Sequence, residues 1–508
     1  MLSSAVKMQQ SPITLTRFLC AFIAVATVYV VGIRLQVAAN APLWIDETWS
    51  AMIATRPDWP TFWHEAWLDC NPPLYYLFLT GWVGVFGDSN LMLRLPSFLF
   101  VILAAALPLV WRPQGLNRAA AWTWAGLLLL WPPGMLMMLD ARGYALMLLL
   151  STASCLVVAQ LLQHLSLKGA VAWVTLGTMM FLTHYYAAVL VTAQTFALIY
   201  QHRTRLLRVW PATLIALPGL AWFAHHLPRL RDYARPDVAW QQRTGADSAV
   251  EHFTYIFGAW NYVSLSVIAV ILGFAVMHRR RANSEQNIGP IPVDHNLTLV
   301  AGTAVTGFGL ALLIGAFQAS LVSRYLVPLV PPVMLGFTLI IQSNVQQGLH
   351  GVLLVFFFML PGLNVHQTRN ASEMRAMYGF EQASEFASVH KLDQLLFLWD
   401  HPAAKILDRQ SLEHLGSYFV KRNNIDVPVR ALIVSEDDDA NGILRSAAKG
   451  RRSAVIWLYN TADRTAARAH RPTFENDPAW ICRNRGPETV RTRQLGAISC
   501  INLEKAGD

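Results

Sequence analysis

The sequence predicts a polytopic α-helical membrane protein with about 11 spans, its N-terminus inside and its C-terminus outside, carrying a C-terminal soluble α/β domain. Three observations predict it. The 508-residue chain is 54% hydrophobic and only 14% charged, against roughly 25% charged in ordinary soluble domains. Apolar runs near the ~20 residues that cross a bilayer core of ~30 Å recur from Arg17 to Leu363 and then stop. Basic loops fall between alternate pairs of these runs, as positive-inside orientation requires.

The spans read 15–39, 91–111, 119–138, 142–163, 169–183, 184–200, 209–226, 253–277, 297–317, 323–341 and 348–363. No small-residue cleavage site follows the first, which therefore reads as a retained anchor, not a signal peptide. The basic loops RPQGLNR (112–118), HLSLKG (164–169), HRTRLLR (202–208) and HRRR (278–281) define the inner side. The net charge of +9 raises a nucleic-acid reading, but topology accounts for many of the cations, and no nucleic-acid partner is expected. Segment 72–87, PPLYYLFLTGWVGVFG, is apolar yet short and opens on two prolines. If it crossed, every later basic loop would be inverted, so it reads as a helix on or dipping into the outer face.

Residues 1–363 thus form a transmembrane domain and 364–508 an extracytoplasmic domain. The latter carries alternating runs such as VPVRALIVSE (427–436) and SAVIWLYN (453–460) between turn signals, the pattern of strands. Cys20 and Cys155 lie inside spans and read as apolar packing. Cys70 sits in the first outer loop. Cys482 and Cys500 flank a hairpin-like stretch on the side where disulfides persist.

This topology gathers Asp46, Glu47, Asp69, Asp140, Arg142, His184 and Arg324 at the outer surface. Asp46 and Glu47 read as closing the first span. Two acids at a helix exit are one explanation, but helix C-termini favour cations, and a carboxylate at a water–lipid boundary suits a general base. Asp69 precedes Asn71-Pro72-Pro73: it is either a turn residue or a carboxylate held rigidly by the prolines. Arg94, Arg142 and Arg324 each mark an outer span end. Singly, each fits a snorkelling arginine; together, on the face poor in charge, they read as a phosphate clamp, since the planar guanidinium donates paired hydrogen bonds. His184 is an interface histidine or a phosphate or metal ligand. Tyr144, Tyr185, Tyr186 and Tyr325 fit an aromatic belt with sugar stacking as the alternative, and Tyr144 counts among the substrate-binding candidates. No P-loop, Gly-rich nucleotide loop or CxxC pair is present. No metal ligands are assigned; a divalent metal is compatible with the sequence but not required by it.

Five segments in order resemble the polyprenyl-phosphate-sugar-dependent glycosyltransferases of the C-type membrane fold: WIDETWSA, LDCNPPLYYLFLTGWVGVFGDSNLMLRLPS, LMMLDARGYAL, LTHYYAAVL and VSRYLVPLVPP. The nearest groups are the protein O-mannosyltransferases and the lipid A aminoarabinose or galacturonosyl transferases, glycosyltransferase family 39 and relatives. The resemblance covers about residues 15–340 and implies a catalytic base at Asp46 with Glu47 beside it. It also carries family roles onto Asp69 and Arg94. Where the family often has Glu-Ala-Arg, this chain has Asp140-Ala141-Arg142. Before the Pro-Pro pair the mannosyltransferases have His and the aminoarabinose transferases Lys; this chain has Asn71, which shifts phosphate binding onto the arginines and His184.

The resemblance implies an inverting transfer of a sugar from a polyprenyl-phosphate donor to a lipid, glycan or protein hydroxyl, at the periplasmic face of the cytoplasmic (inner) membrane. The alternative is a lipid-linked sugar flippase, which would place charged or broken helices at mid-membrane. A non-catalytic anchor for the C-terminal domain would not need the acids.

Overall fold

In a computed structural model of the chain, the structure describes residues 2–41, 43–56, 58–236, 238, 243–259, 262–286, 294–342, 347–363, 384, 387–400, 406–422, 424–433, 439–460, 480–485 and 495–502. The helical part runs α1 (Leu2–Asn40), α2 (Ile45–Ala54), α3 (Trp59–Leu68), α4 (Leu74–Phe86), α5 (Asn90–Val110), α6 (Arg118–Leu130), α7 (Pro132–Met137), α8 (Tyr144–Gln163), α9 (Leu167–Phe181) and α10 (Ala187–His202). A 3-10 helix, Arg203–Ala216, leads into α11 (Leu217–Tyr233), α12 (Ala246–Ile256), α13 (Tyr262–Gln286) and α14 (His295–Phe317). A second 3-10 helix, Ser323–Leu329, precedes α15 (Val330–Gln342) and α16 (Gln347–Leu363).

Six segments of the described residues are long and apolar enough to cross a membrane: Cys20–Asn40, Asn90–Val110, Tyr144–Gln163, Ala187–Tyr233, His295–Phe317 and Ser323–Gln342. Leu74–Phe86, Leu167–Phe181, Tyr262–Met277 and Gly348–Pro361 are shorter apolar helices. Several apolar runs are interrupted, and backbone chemistry gives the reason. The run 119–138 breaks after Trp131, where Pro132 opens α7 at a position that needs no N–H donor. Pro211 and Pro328 lie in the two 3-10 stretches. The run 253–277 divides around Gly258, whose φ of +71° admits only glycine comfortably; a Cβ there would also stand 2.9 Å from Trp131.

Helix α8 is the hub. It is apolar all round, is buried along nearly its whole length, and packs on α5, α9, α10, α14 and α15; such a helix belongs in the interior. Helix α4 has 13 residues, about 20 Å at 1.5 Å per residue, too short to cross a core of ~30 Å. It buries Tyr75, Tyr76 and Leu79 against α2 and α5.

The C-terminal part forms a five-stranded mixed sheet. Its strands are β1 (Gln394–Asp400), β2 (Val429–Leu432), β3 (Ser453–Asn460), β4 (Trp480–Arg485) and β5 (Leu495–Asn502), in the order β2-β1-β3-β5-β4. Strand β1 pairs parallel with β2 and β3, while β5 pairs antiparallel with β3 and β4. The parallel connections pass through α17 (Arg409–Arg422) and α18 (Ala440–Ala448), as parallel pairs require. The side chains of Cys482 and Cys500 lie outside the described residues, as does most of 364–393; the backbone register sets Cys482 opposite Cys500.

Helix α17 rests on the first loop region. His64 Nε2 lies 3.1 Å from Asp408 Oδ2, and His414 Nδ1 lies 2.7 Å from Glu65 Oε1. Arg422 donates to the Asp88 carbonyl at 3.1 Å and to Asn90 Oδ1 at 2.5 Å.

Candidate active site

The acids after the first run do not close α1. They occupy the first turn of a separate helix, α2, where the positive end of the helix dipole favours a carboxylate. That corrects the reading from sequence: the chain leaves α1 at Asn40 and re-enters helix at Ile45, so the acids meet an N-terminus.

From that turn the two acids diverge. Glu47 is fully buried and takes Arg94 Nε on Oε1 at 2.7 Å and Arg94 Nη2 on Oε2 at 2.6 Å. It also accepts the backbone N–H groups of Ala141 at 2.9 Å and Trp44 at 3.2 Å. Arg94 Nη1 donates to the carbonyls of Ala38 and Ala41, at 2.9 and 2.6 Å. Arg94 is thus not among the residues gathered around Asp46. Its fork binds Glu47 and the end of α1, so it pins three segments together. Glu47, holding four donors away from solvent, has the same structural employment.

Asp46 is partly open. Its Oδ2 lies 3.3 Å from Arg324 Nη2, which the Ser323–Leu329 turn carries. Arg142, from the turn before α8, donates through Nη1 to the Asp46 carbonyl at 3.1 Å and to Ser50 Oγ at 3.3 Å. The Arg324 guanidinium lies 5.7 Å from the Trp44 ring and 5.9 Å from each of the Tyr144 and Tyr325 rings, a cation–π setting. Tyr144 stacks on Tyr325 with centroids 6.4 Å apart, and His184 lies 4.3 Å from the Tyr325 ring.

His184 sits in the turn between α9 and α10. Its Nδ1 accepts the Tyr186 backbone N–H at 3.2 Å, so the proton of the neutral ring is on Nε2. Burial, with Arg142 and Arg324 nearby, pushes its pKa from 6.5 down to about 3. At neutral pH it offers a hydrogen bond and no charge.

Asp69 caps the C-terminal end of α3. One oxygen accepts the Cys70 N–H at 2.7 Å; the other accepts the Tyr76 hydroxyl, and Asn71 Nδ2 at 3.3 Å. A narrow cavity beside it is lined by Asn71, Tyr75, Tyr76, Arg142, Tyr144 and His184, among others. Of the expected site residues, Asp46, Asp69, Arg142, Tyr144, His184 and Arg324 therefore converge, while Glu47 and Arg94 form their frame. Trp44, Ser50 and Tyr76 join this cluster without having been singled out; Tyr76 carried a signal, lying seven residues past Asp69 in the first turn of α4, just after the rigid Pro-Pro pair. Among the described residues, no three His, Cys, Asp or Glu side chains gather as a metal site.

No family model matches the chain, and no curated protein sequence does either. Solved structures do. ArnT from Cupriavidus metallidurans in the apo state aligns over 95% of this chain and 98% of its own, with a TM-score of 0.55 at 12% identity. The same protein bound to undecaprenyl phosphate aligns over 94% and 98%, with a TM-score of 0.53 and 12% identity. Over nearly its whole length, then, this chain has the fold of ArnT, the C-type membrane glycosyltransferase fold that its motifs resemble.

Proposed function

We propose that the protein is a membrane glycosyltransferase that moves a sugar from a polyprenyl-phosphate donor to a hydroxyl of a lipid, glycan or protein acceptor, with inversion at the transferred carbon. The observation that carries this is the pairing of Asp46 with Arg324 beside Arg142: a partly open carboxylate next to two guanidinium groups, at one end of the spans. That the ArnT neighbour binds undecaprenyl phosphate supports the donor class.

In this reading the acceptor oxygen attacks the anomeric carbon as the bond from that carbon to the lipid phosphate oxygen breaks. Asp46 takes the acceptor proton. The departing phosphate is already a weak base, so the work lies in neutralising it and holding the acceptor in line. Arg324 and Arg142 supply the charge, and His184 adds a neutral N–H donor. Asp69, oriented by Cys70, Asn71 and Tyr76, offers its remaining lone pairs to a sugar or acceptor hydroxyl. The Tyr144 and Tyr325 rings give a face on which a sugar can stack. Grouping of these residues at the ends of helices, not mid-span, favours transfer over transport. In a cell this site would face the periplasm from the inner membrane.

The test is a transfer assay on purified protein against a panel of polyprenyl-phosphate sugars with cell-envelope lipid extract as acceptor. Release of polyprenyl phosphate together with a glycosylated product is expected for one donor. Movement of intact lipid-linked sugar across vesicles without bond cleavage would overturn the reading.

A further inference from the structure

We infer that Arg229 is a positioning residue that ties the aim of the Asp69 carboxylate to the docking of the C-terminal domain; the inference rests on the role proposed above for Asp69. Helix α3 ends at Leu68, and the last carbonyls of a helix have no partner within it. Helix α11 supplies partners from one face. His226, Arg229 and Tyr233 follow at i, i+3 and i+7, a spacing that aligns side chains along a helix. His226 Nε2 lies 2.9 Å from the Trp67 carbonyl. Arg229 Nε donates to the Leu68 carbonyl at 3.0 Å, and the Tyr233 hydroxyl donates to the same oxygen at 2.9 Å. Because a carbonyl only accepts, His226 Nε2 carries the proton, and Nδ1 accepts from the Tyr185 hydroxyl at 2.6 Å. Tyr185 adjoins His184, and Leu68 adjoins Asp69, so α11 holds two edges of the site.

Arg229 does more than cap. Its Nη1 donates to the Ile406 carbonyl at 2.6 Å, two residues before Asp408. Arg229 is 3% exposed; its guanidinium lies 5.7 and 5.0 Å from the Trp67 and Tyr233 rings and has Asp232 only at 3.9 Å. Burying a cation against neutral carbonyls is costly, more than packing alone calls for. The planar fork fixes the angle between its donors. A shift of Ile406 therefore tilts the plane that holds Leu68, and the Asp69 turn moves with it. The pairs His64–Asp408 and His414–Glu65 hold the same dock from the α3 side.

The experiment uses purified full-length protein and two independent perturbations. Arg229→Lys keeps the charge and loses the fork. Asp408→Asn with His414→Ala loosens the dock and leaves Arg229 and Asp69 intact. Since ångström misplacement costs roughly 10–100-fold in rate, each should lower kcat about tenfold or more with donor KM unchanged. In an Asp69→Asn background each should cost no more than about twofold further, because residues acting through one group are not additive. The full cost persisting in that background, or unchanged turnover, overturns the inference. Hydrogen exchange at the Cys70 and Asn71 amides gives a readout independent of transfer and should rise in both variants. Should the wild-type protein transfer no sugar, or Asp69→Asn transfer normally, the functional reading falls on its own; unchanged exchange at Cys70 and Asn71 then still overturns the coupling.

Discussion

Arg94 holds Glu47 through two parallel hydrogen bonds of 2.7 and 2.6 Å, with neither side chain reaching solvent. Removing one partner of a buried ion pair strands the other and costs about 3–5 kcal/mol. Glu47→Gln and Arg94→Met should each lower the melting temperature of the purified protein sharply. Any folded fraction should keep its donor KM, because neither group reaches the site. An Arg94→Met protein as stable as wild type but with a raised donor KM would return Arg94 to the phosphate.

Asp46 is expected to act as the base. Asp46→Asn should retain fold and donor binding while losing roughly 10²–10⁴ in turnover, the usual worth of general-base catalysis. Near-normal transfer by the purified variant would remove Asp46 from that role.

Arg324 and Arg142 should bind the donor phosphate. A hydrogen bond to a charged group contributes about 1.5–3 kcal/mol, or roughly 10–100-fold. Arg324→Lys keeps the charge but not the paired geometry, so donor KM should rise by that order with acceptor KM little changed. Arg142→Lys should also lower kcat, because Arg142 holds the Asp46 backbone. Unchanged donor kinetics in both variants would leave the two arginines as interface residues.

His184 gives a pH signature. Its pKa falls from 6.5 to about 3 on folding, so the fold favours the neutral ring. The associated stability is fully present above pH 6.5 and is lost as pH falls toward 3. The drop in melting temperature between pH 7.5 and 4.5 should therefore be smaller in His184→Asn than in wild type. An identical drop would show that His184 is not held neutral.

Opposed in register on β4 and β5, Cys482 and Cys500 are spaced as a disulfide allows: facing residues of an antiparallel pair have Cα atoms about 4.5–5.5 Å apart, within the bonded range. A disulfide is expected there if the domain faces an oxidising compartment, adding about 3 kcal/mol for a loop of this size. Mass spectrometry of unreduced peptides should find the two cysteines linked; separate alkylation of both would contradict the bond and weaken the case for the outside location.

Periodicity and composition made the membrane helices, the short α4 and the strands around 427–436 and 453–460 legible, because each depends on neighbours in sequence. Topology also brought Asp46, Arg142, His184 and Arg324 to one end. What sequence could not supply was the division of labour between adjacent acids. Glu47 and Asp46 look alike in WIDETWSA; only the turn of α2 sends one to Arg94, 47 residues away, and the other to Arg324, 278 residues away. The start of α2 was itself missed: Pro42 is the one breaker in 41–44, and no residue beside it tells a kink within one helix from the end of one helix and the start of the next. The Arg229 joint was invisible for a similar reason: its acceptors are backbone carbonyls, which no residue type announces.

The distance between Asp46 and Arg324 along the chain also has a consequence for biogenesis. Synthesis delivers residues from the N-terminus, so α2 emerges with its carboxylate long before the turn that pairs with it. Arg229 likewise waits for Ile406, 177 residues later. A nascent or prematurely terminated chain can insert most of its helices and still hold no complete site. The pair of Asp46 and Arg324 forms only once the chain has been made as far as Arg324, and the Arg229 joint only once it reaches Ile406; under the proposed function, shorter copies in the membrane would hold no working site.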